Sequence, residues 1–195
     1  KHLILLLLSI TLLTIACKEQ GKQKKNDSSP AAESALTEQN ACVFSQIAYC
    51  NDITTALTKY MPDWKIVWEG NESGGNHAFV ATNVNEYALA IRGSLINFSW
   101  AALQNWIYQD LHVTSQEKWL FTNDSSNAKL SQGSFDGWQN LNKMTDKKTG
   151  QLLFPFLEKE LKEGSRLLIT GHSLGGNLAT VYASYLWQSF KKKQH

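Results

Sequence analysis

Residues 171–176 read Gly-His-Ser-Leu-Gly-Gly, a single serine held in a knot of glycines. An apolar run, "RLLIT", leads into the knot, and a helix-like pattern follows it. A serine hydroxyl becomes an acyl-accepting nucleophile when it is thrust out on a tight strand-to-helix turn beside a proton acceptor. Such a turn crowds neighbouring Cβ atoms, so the positions two before and two after the serine must lack them. Gly171 and Gly175 meet that demand for Ser173, and Gly176 frees the helix start further. Unpaired N–H groups at the helix start and the positive end of the helix dipole then face a developing oxyanion. A phosphate-binding turn would call for G-x-G-x-x-G or a lysine after the second glycine, and the chain has neither here. His172 is excluded as the base, because on an extended segment adjacent side chains point to opposite faces. It is expected to pack beside the turn.

The elements needed to hold this serine can be read around it. The 165–170 stretch, "SRLLIT", suits a parallel strand buried on both faces. Residues 176–193 form a helix whose apolar positions run nearly all the way round, which predicts packing on both sides. Upstream, "DWKIVWEG" reads as a strand, and "HAFVAT" and "EYALAIRG" as a hairpin around "NVN". "KWLFT" reads as a short strand and "GSFDGWQNLNKM" as the start of a helix. "QLLFPFLEKELKEG" is helical, with Pro155 either in the first turn or at a kink. "ACVFSQIAYCNDITTALTKY" reads as one helix. On one helix Cys42 and Cys50 would lie about 12 Å apart, beyond disulfide reach, and two buried free thiols are expected. Strands alternating with helices predict a layered α/β fold with an antiparallel edge from the hairpin.

Bulk composition sets the frame. The chain has 195 residues, 43% hydrophobic, 18% charged and 11% aromatic, enough for one domain with a core. A net charge of +2, with lysines gathered at the two ends, gives no basic stripe and no reason to expect nucleic acid. No cysteine pair has zinc-ligand spacing with histidine, and the serine chemistry needs neither metal nor cofactor. Residues 3–16, "LILLLLSITLLTIA", are too short for a membrane-spanning helix and match the apolar core of a secretory signal. The following "ACK" resembles the signal box of bacterial lipoproteins, in which Cys17 would become the lipidated first residue, although Thr14 stands where that box prefers leucine. An ordinary signal peptide, with Cys17 incidental, is the alternative. The expected organisation is a signal over residues 1–16, a polar tether over 17–39 and a folded domain over 40–195. Acyl chains on Cys17 would hold the protein on a bacterial envelope membrane.

From about residue 41 onward the chain resembles the class 3, fungal-type lipase family, which has an α/β-hydrolase fold. "SQIAYC" (45–50) resembles that family's opening helix, and "TGHSLGG" (170–176) its nucleophile turn. "LAIRGS" (89–94) is similar to the segment that provides half of the oxyanion hole. "NWIYQDL" (105–111) and "GSFDGW" (133–138) resemble two further elements, the second with an extra serine before the phenylalanine. The resemblance implies that Ser173 is the nucleophile and that the N–H of Leu174 and the backbone and hydroxyl of Ser94 form the oxyanion hole. It implies carboxylic ester substrates, most simply lipids of the acylglycerol type. Residues 95–104, "LINFSWAALQ", would form a lid; plain core helix is the other reading.

The base and its orienting carboxylate are expected after the serine in this fold. The 22 residues after Ser173 (195 − 173) contain no Asp or Glu, and their one histidine is His195. His77 and His112, with Asp110, Asp124, Asp136 or Asp146, are upstream candidates. A sequence that continues past His195 is the simpler expectation, leaving this chain a fragment with the C-terminal part of the fold missing. The other reading is a non-catalytic envelope lipoprotein with a degenerate lipase-like domain. As a fragment, residues 41–195 alone are expected to be insoluble or molten and to hydrolyse esters at background; a sharp cooperative melt would contradict this.

Overall fold

The computed structural model describes residues 35–93, 115–122 and 127–193. The described residues all belong to one compact unit, Ser34–His195. In order along the chain these are α1 (Glu38–Ile47), α2 (Ile53–Tyr60), β1 (Lys65–Glu69), β2 (His77–Asn83) and β3 (Glu86–Arg92). There follow β4 (Gln116–Lys118), β5 (Lys129–Ser131), α3 (Gln132–Lys143), α4 (Leu153–Glu160), β6 (Arg166–Gly171) and α5 (Leu174–Lys193).

The main sheet has the order β1-β2-β3-β6. β1, β2 and β3 run antiparallel, and β6 lies parallel to β3 with Ile91 opposite Gly171. The hairpin turns at Val84, whose φ of 55° is the left-handed geometry a two-residue hairpin requires. Alternation along the strands builds the layers. Ala78, Val80, Leu89 and Ile91 point to one face, where α3, α4 and α5 contribute Leu141, Leu157, Leu178 and Tyr182. Phe79, Ala81, Ala88 and Ala90 point to the other, under Phe44 and Ile47 of α1 and Leu57 of α2. The result is a mixed sheet with flanking helices, an α/β-hydrolase-like fold.

Local chemistry explains where elements begin. Residues 41–60, expected as one helix, form two. Asp52 interrupts them by capping α2, its carboxylate accepting from Thr55 N at 2.9 Å and Thr55 Oγ1 at 2.7 Å. With the chain broken there, Cys42 and Cys50 are free but exposed, not buried. Pro155 sits in the first turn of α4, where no N–H is required of it. The strand expected at 118–122 lies instead at Gln116–Lys118. Trp119 turns inward beside Trp138, donating from Nε1 to Ser184 Oγ at 3.0 Å. Gly137 lets α3 approach α5: a Cβ there would meet Leu178 at 2.6 Å. Two expectations of complete burial fail. β6 is half-buried, because no described strand pairs with its outer edge. On α5 Trp187 is 71% exposed, because the helix packs on one side only.

Asp146 fastens the loop between α3 and α4 to the end of β1. Its buried carboxylate accepts from Glu69 N at 2.8 Å, Lys148 N at 3.0 Å, and Thr149 N and Oγ1 at 2.7 and 2.9 Å. Burial raises its pKa, but these donors together outweigh that and hold it below the usual carboxylate value. The unfolded state therefore binds the proton first, so this stabilisation is complete above the unfolded pKa and is lost as pH falls through the folded one. Asp146→Ala in the gene product is expected to cost roughly 2–4 kcal/mol at pH 7, since several donors lose a charged partner. Urea unfolding at a series of pH values should show that deficit shrinking below about pH 4.

Candidate active site

β6 hands over to α5 through His172 and Ser173. Ser173 has φ of 58°, one of two non-glycine residues with positive φ among those described. A left-handed conformation at a residue with a side chain costs roughly 1–2 kcal/mol, so the surroundings must enforce it. They do so by crowding. A Cβ on Gly171 would fall under 3.0 Å from the Gly175 carbonyl and the Ile91 oxygen, and one on Gly175 would strike the same Ile91 oxygen and Gly93 N. At Gly176 a Cβ would reach Gly171 O at 3.0 Å. The turn thus lies directly on the end of β3. Gly175 N donates to His172 O, and Gly176 N to Ser173 O, both at 3.0 Å, starting the helix at once. Ser173 is exposed. Leu174 is the first residue of α5, and its N–H is among those a helix cannot satisfy internally.

A family model described as "Lipase (class 3)" matches residues 88–195, more than half of the chain. The chain belongs to the class 3 lipase family. Among solved structures, the crystal structure of M37 lipase is similar in fold, with a TM-score of 0.64 and 21% identity. The match covers 77% of this chain and 53% of that one, so the chain spans about half the length of M37 lipase. No curated protein matches the chain.

In this member of the family, β3 and β6 deliver two of the expected segments to the same end of the sheet. β3 ends at Arg92, and a Cβ on the next residue, Gly93, would lie 2.6 Å from His172 O. Ser94, the expected second oxyanion donor, lies outside the described residues, as do the lid expected at 95–104, the 105–111 element and Cys17. His172 lies exposed beside the turn, edge-on to Tyr49 with ring centroids 6.0 Å apart. Tyr49 is a residue that no motif had singled out for chemistry. The 133–138 segment falls in α3, where Ser134 donates to Asn177 Oδ1 at 2.8 Å, tying α3 to the first turn of α5.

The upstream candidates for a base are engaged elsewhere. His77 opens β2, separated from β6 by β3. It is buried with Nε2 3.8 Å from Glu69 Oε1, in a recess also lined by Glu72, Arg92 and Lys147. Burial, then the Arg92 and Lys147 charges, hold its pKa below the usual histidine value against the pull of Glu69 and Glu72. Asp146 is occupied by the backbone donors described above, and Asp136 accepts from Gln132 Nε2 at 2.8 Å. His112, Asp110 and Asp124 lie outside the described residues. Among the described residues no group of three or more His, Cys, Asp or Glu could hold a metal ion.

The left-handed Ser173 gives a prediction independent of catalysis. Ser173→Gly relieves the backbone and Ser173→Ala does not, so the glycine variant is expected to be more stable than the alanine variant by about 1 kcal/mol. Chemical denaturation of both checks this. Gly175→Ala, whose Cβ meets backbone that has no room to move, is expected to cost about 3 kcal/mol or more.

Proposed function

We propose that the protein is a serine hydrolase of carboxylic esters, acting on lipid esters of the acylglycerol type, with Ser173 as nucleophile. The observation that carries this reading is Ser173 itself: exposed, left-handed, and held between glycines at the strand-to-helix turn of a class 3 lipase. In the reaction Ser173 Oγ bonds to the ester carbonyl carbon while a base takes its proton. The carbonyl oxygen becomes an oxyanion that the Leu174 N–H and the positive end of α5 stabilise, with Ser94 as the second donor. The ester C–O bond breaks, the base returns the proton to the departing alcohol, and water then releases the acid from the acyl-serine. No hydrogen bond joins Ser173 to a histidine among the described residues, so the base is to be sought outside them. Cys17 would carry the acyl anchor that places the enzyme on an envelope membrane; radiolabelled palmitate incorporation that survives Cys17→Ala would exclude it.

The test is hydrolysis of p-nitrophenyl esters and of emulsified acylglycerols by the gene product, beside labelling by a fluorophosphonate. Ser173→Ala is expected to abolish labelling and to lower kcat by about 10³-fold or more. A wild type that is folded, takes no label and hydrolyses no ester would favour the non-catalytic reading.

A further inference from the structure

The β3–β6 ladder ends at Ile91 opposite Gly171. Beyond that pair the two chains are joined by a side chain from a third element. The Tyr49 hydroxyl lies 3.1 Å from Gly93 N, 3.2 Å from His172 O and 3.5 Å from His172 Nδ1. A phenol has one proton to give and lone pairs to receive, so this hydroxyl accepts from the Gly93 N–H and donates to the His172 carbonyl. Both contacts adjoin the proposed chemistry. Gly93 precedes Ser94, the expected oxyanion donor, and the His172 carbonyl belongs to the peptide that supplies Ser173 N.

Space and protonation agree with that arrangement. A Cβ on Gly93 would sit 2.5 Å from the Tyr49 oxygen, so the bridge exists only because residue 93 is glycine. Burial raises the Tyr49 pKa, against the Gly93 N–H and the Arg92 charge, so the phenol keeps its proton at neutral pH. Its backbone is anchored as well: Thr170 Oγ1, on β6, donates to Ala41 O of α1 at 3.1 Å, which fixes the helix that ends just before Tyr49.

We propose that Tyr49 is a positioning residue: its single hydroxyl sets the spacing between the oxyanion-donor end of β3 and the nucleophile turn. This rests on the ester hydrolase reading of Ser173. Tyr49→Phe in the gene product deletes the bridge and keeps the ring. Gly93 amide exchange, followed by hydrogen–deuterium exchange, is expected to rise about tenfold, the equivalent of one hydrogen bond of ordinary net strength, with Ala88 and Ala90 unchanged. On p-nitrophenyl butyrate kcat should fall by about 10- to 100-fold at nearly constant KM, less than deletion of an oxyanion donor itself. As a second variant, 3,5-difluorotyrosine in place of Tyr49 keeps the shape and ionises at lower pH. A phenolate cannot donate to the His172 carbonyl, so the alkaline limb of kcat should move to lower pH. Unchanged Gly93 exchange, or an unmoved alkaline limb, overturns the bridge. Faster Gly93 exchange in a protein that hydrolyses no ester even as wild type overturns the hydrolase reading instead, and with it the bridge's catalytic purpose.

Discussion

The end of β3 and the start of α5 share a volume that has no room for side-chain carbon. Gly93, Gly171 and Gly175 converge there, and a Cβ on any of them would meet another's backbone or that of Ile91 or His172. Close-packed backbone transmits displacement because no soft side chain lies between to absorb it. The left-handed Ser173 follows from this contact. The chain must reverse from β6 into α5 within two residues while staying pressed against Ile91 O, and a right-handed or extended residue at 173 would carry α5 away from the sheet. The strain at Ser173 and the crowding at its neighbours are thus one constraint seen at different atoms.

That constraint depends in turn on the two faces of the sheet. On the side of α1 and α2, β3 presents Ala88 and Ala90, and β2 presents Ala81 beside Phe79. Small residues there let α1 sit close enough for the Thr170 hydroxyl to reach Ala41 O, which brings the segment after α1 over the carboxyl ends of β3 and β6. On the opposite side the larger Leu89 and Ile91 meet Leu178 and Tyr182 of α5. Leu178, fully buried and opposite Gly137, locks the second turn of α5 against α3. The turn at Ser173 is therefore gripped from both layers, and apolar burial on each face stabilises a local geometry that is unfavourable on its own.

The parts legible in the sequence were those with a strong local signature. The glycine spacing around Ser173, the apolar run before it and the helix after it each reflect sterics within a few residues, and the hairpin around Val84 carried its own turn signal. What escaped depended on partners distant in the chain or on competing local signals. One helix was expected across residues 41–60 because apolar periodicity persists, yet the Asp52 side chain offers Thr55 a better bond than helix continuation does. Full burial of β6 was inferred from its composition, but burial on an edge is decided by neighbours that a strand's own residues do not specify. Trp187 illustrates the same limit on α5. Tyr49 lay within the quoted 45–50 segment, but nothing local gave it a role, because its partners, Gly93 and His172, lie 44 and 123 residues away.

A hydroxyl bridge has a property that a continued backbone ladder would lack. A ladder fixes two strands at one spacing through paired amides, whereas a side-chain hydroxyl can join two chains just where the pairing ends. Past Ile91 and Gly171 the ladder stops, yet the two backbones stay in close contact through Gly93 and His172, and the Tyr49 hydroxyl joins them there. A phenol from the segment after α1 lies between an amide and a carbonyl, accepting from the Gly93 N–H and donating to the His172 carbonyl. The side chain that bridges them follows α1, which packs on the face of the sheet opposite α5, so on the proposed reading the separation of the two segments depends on that layer as well as on strand geometry.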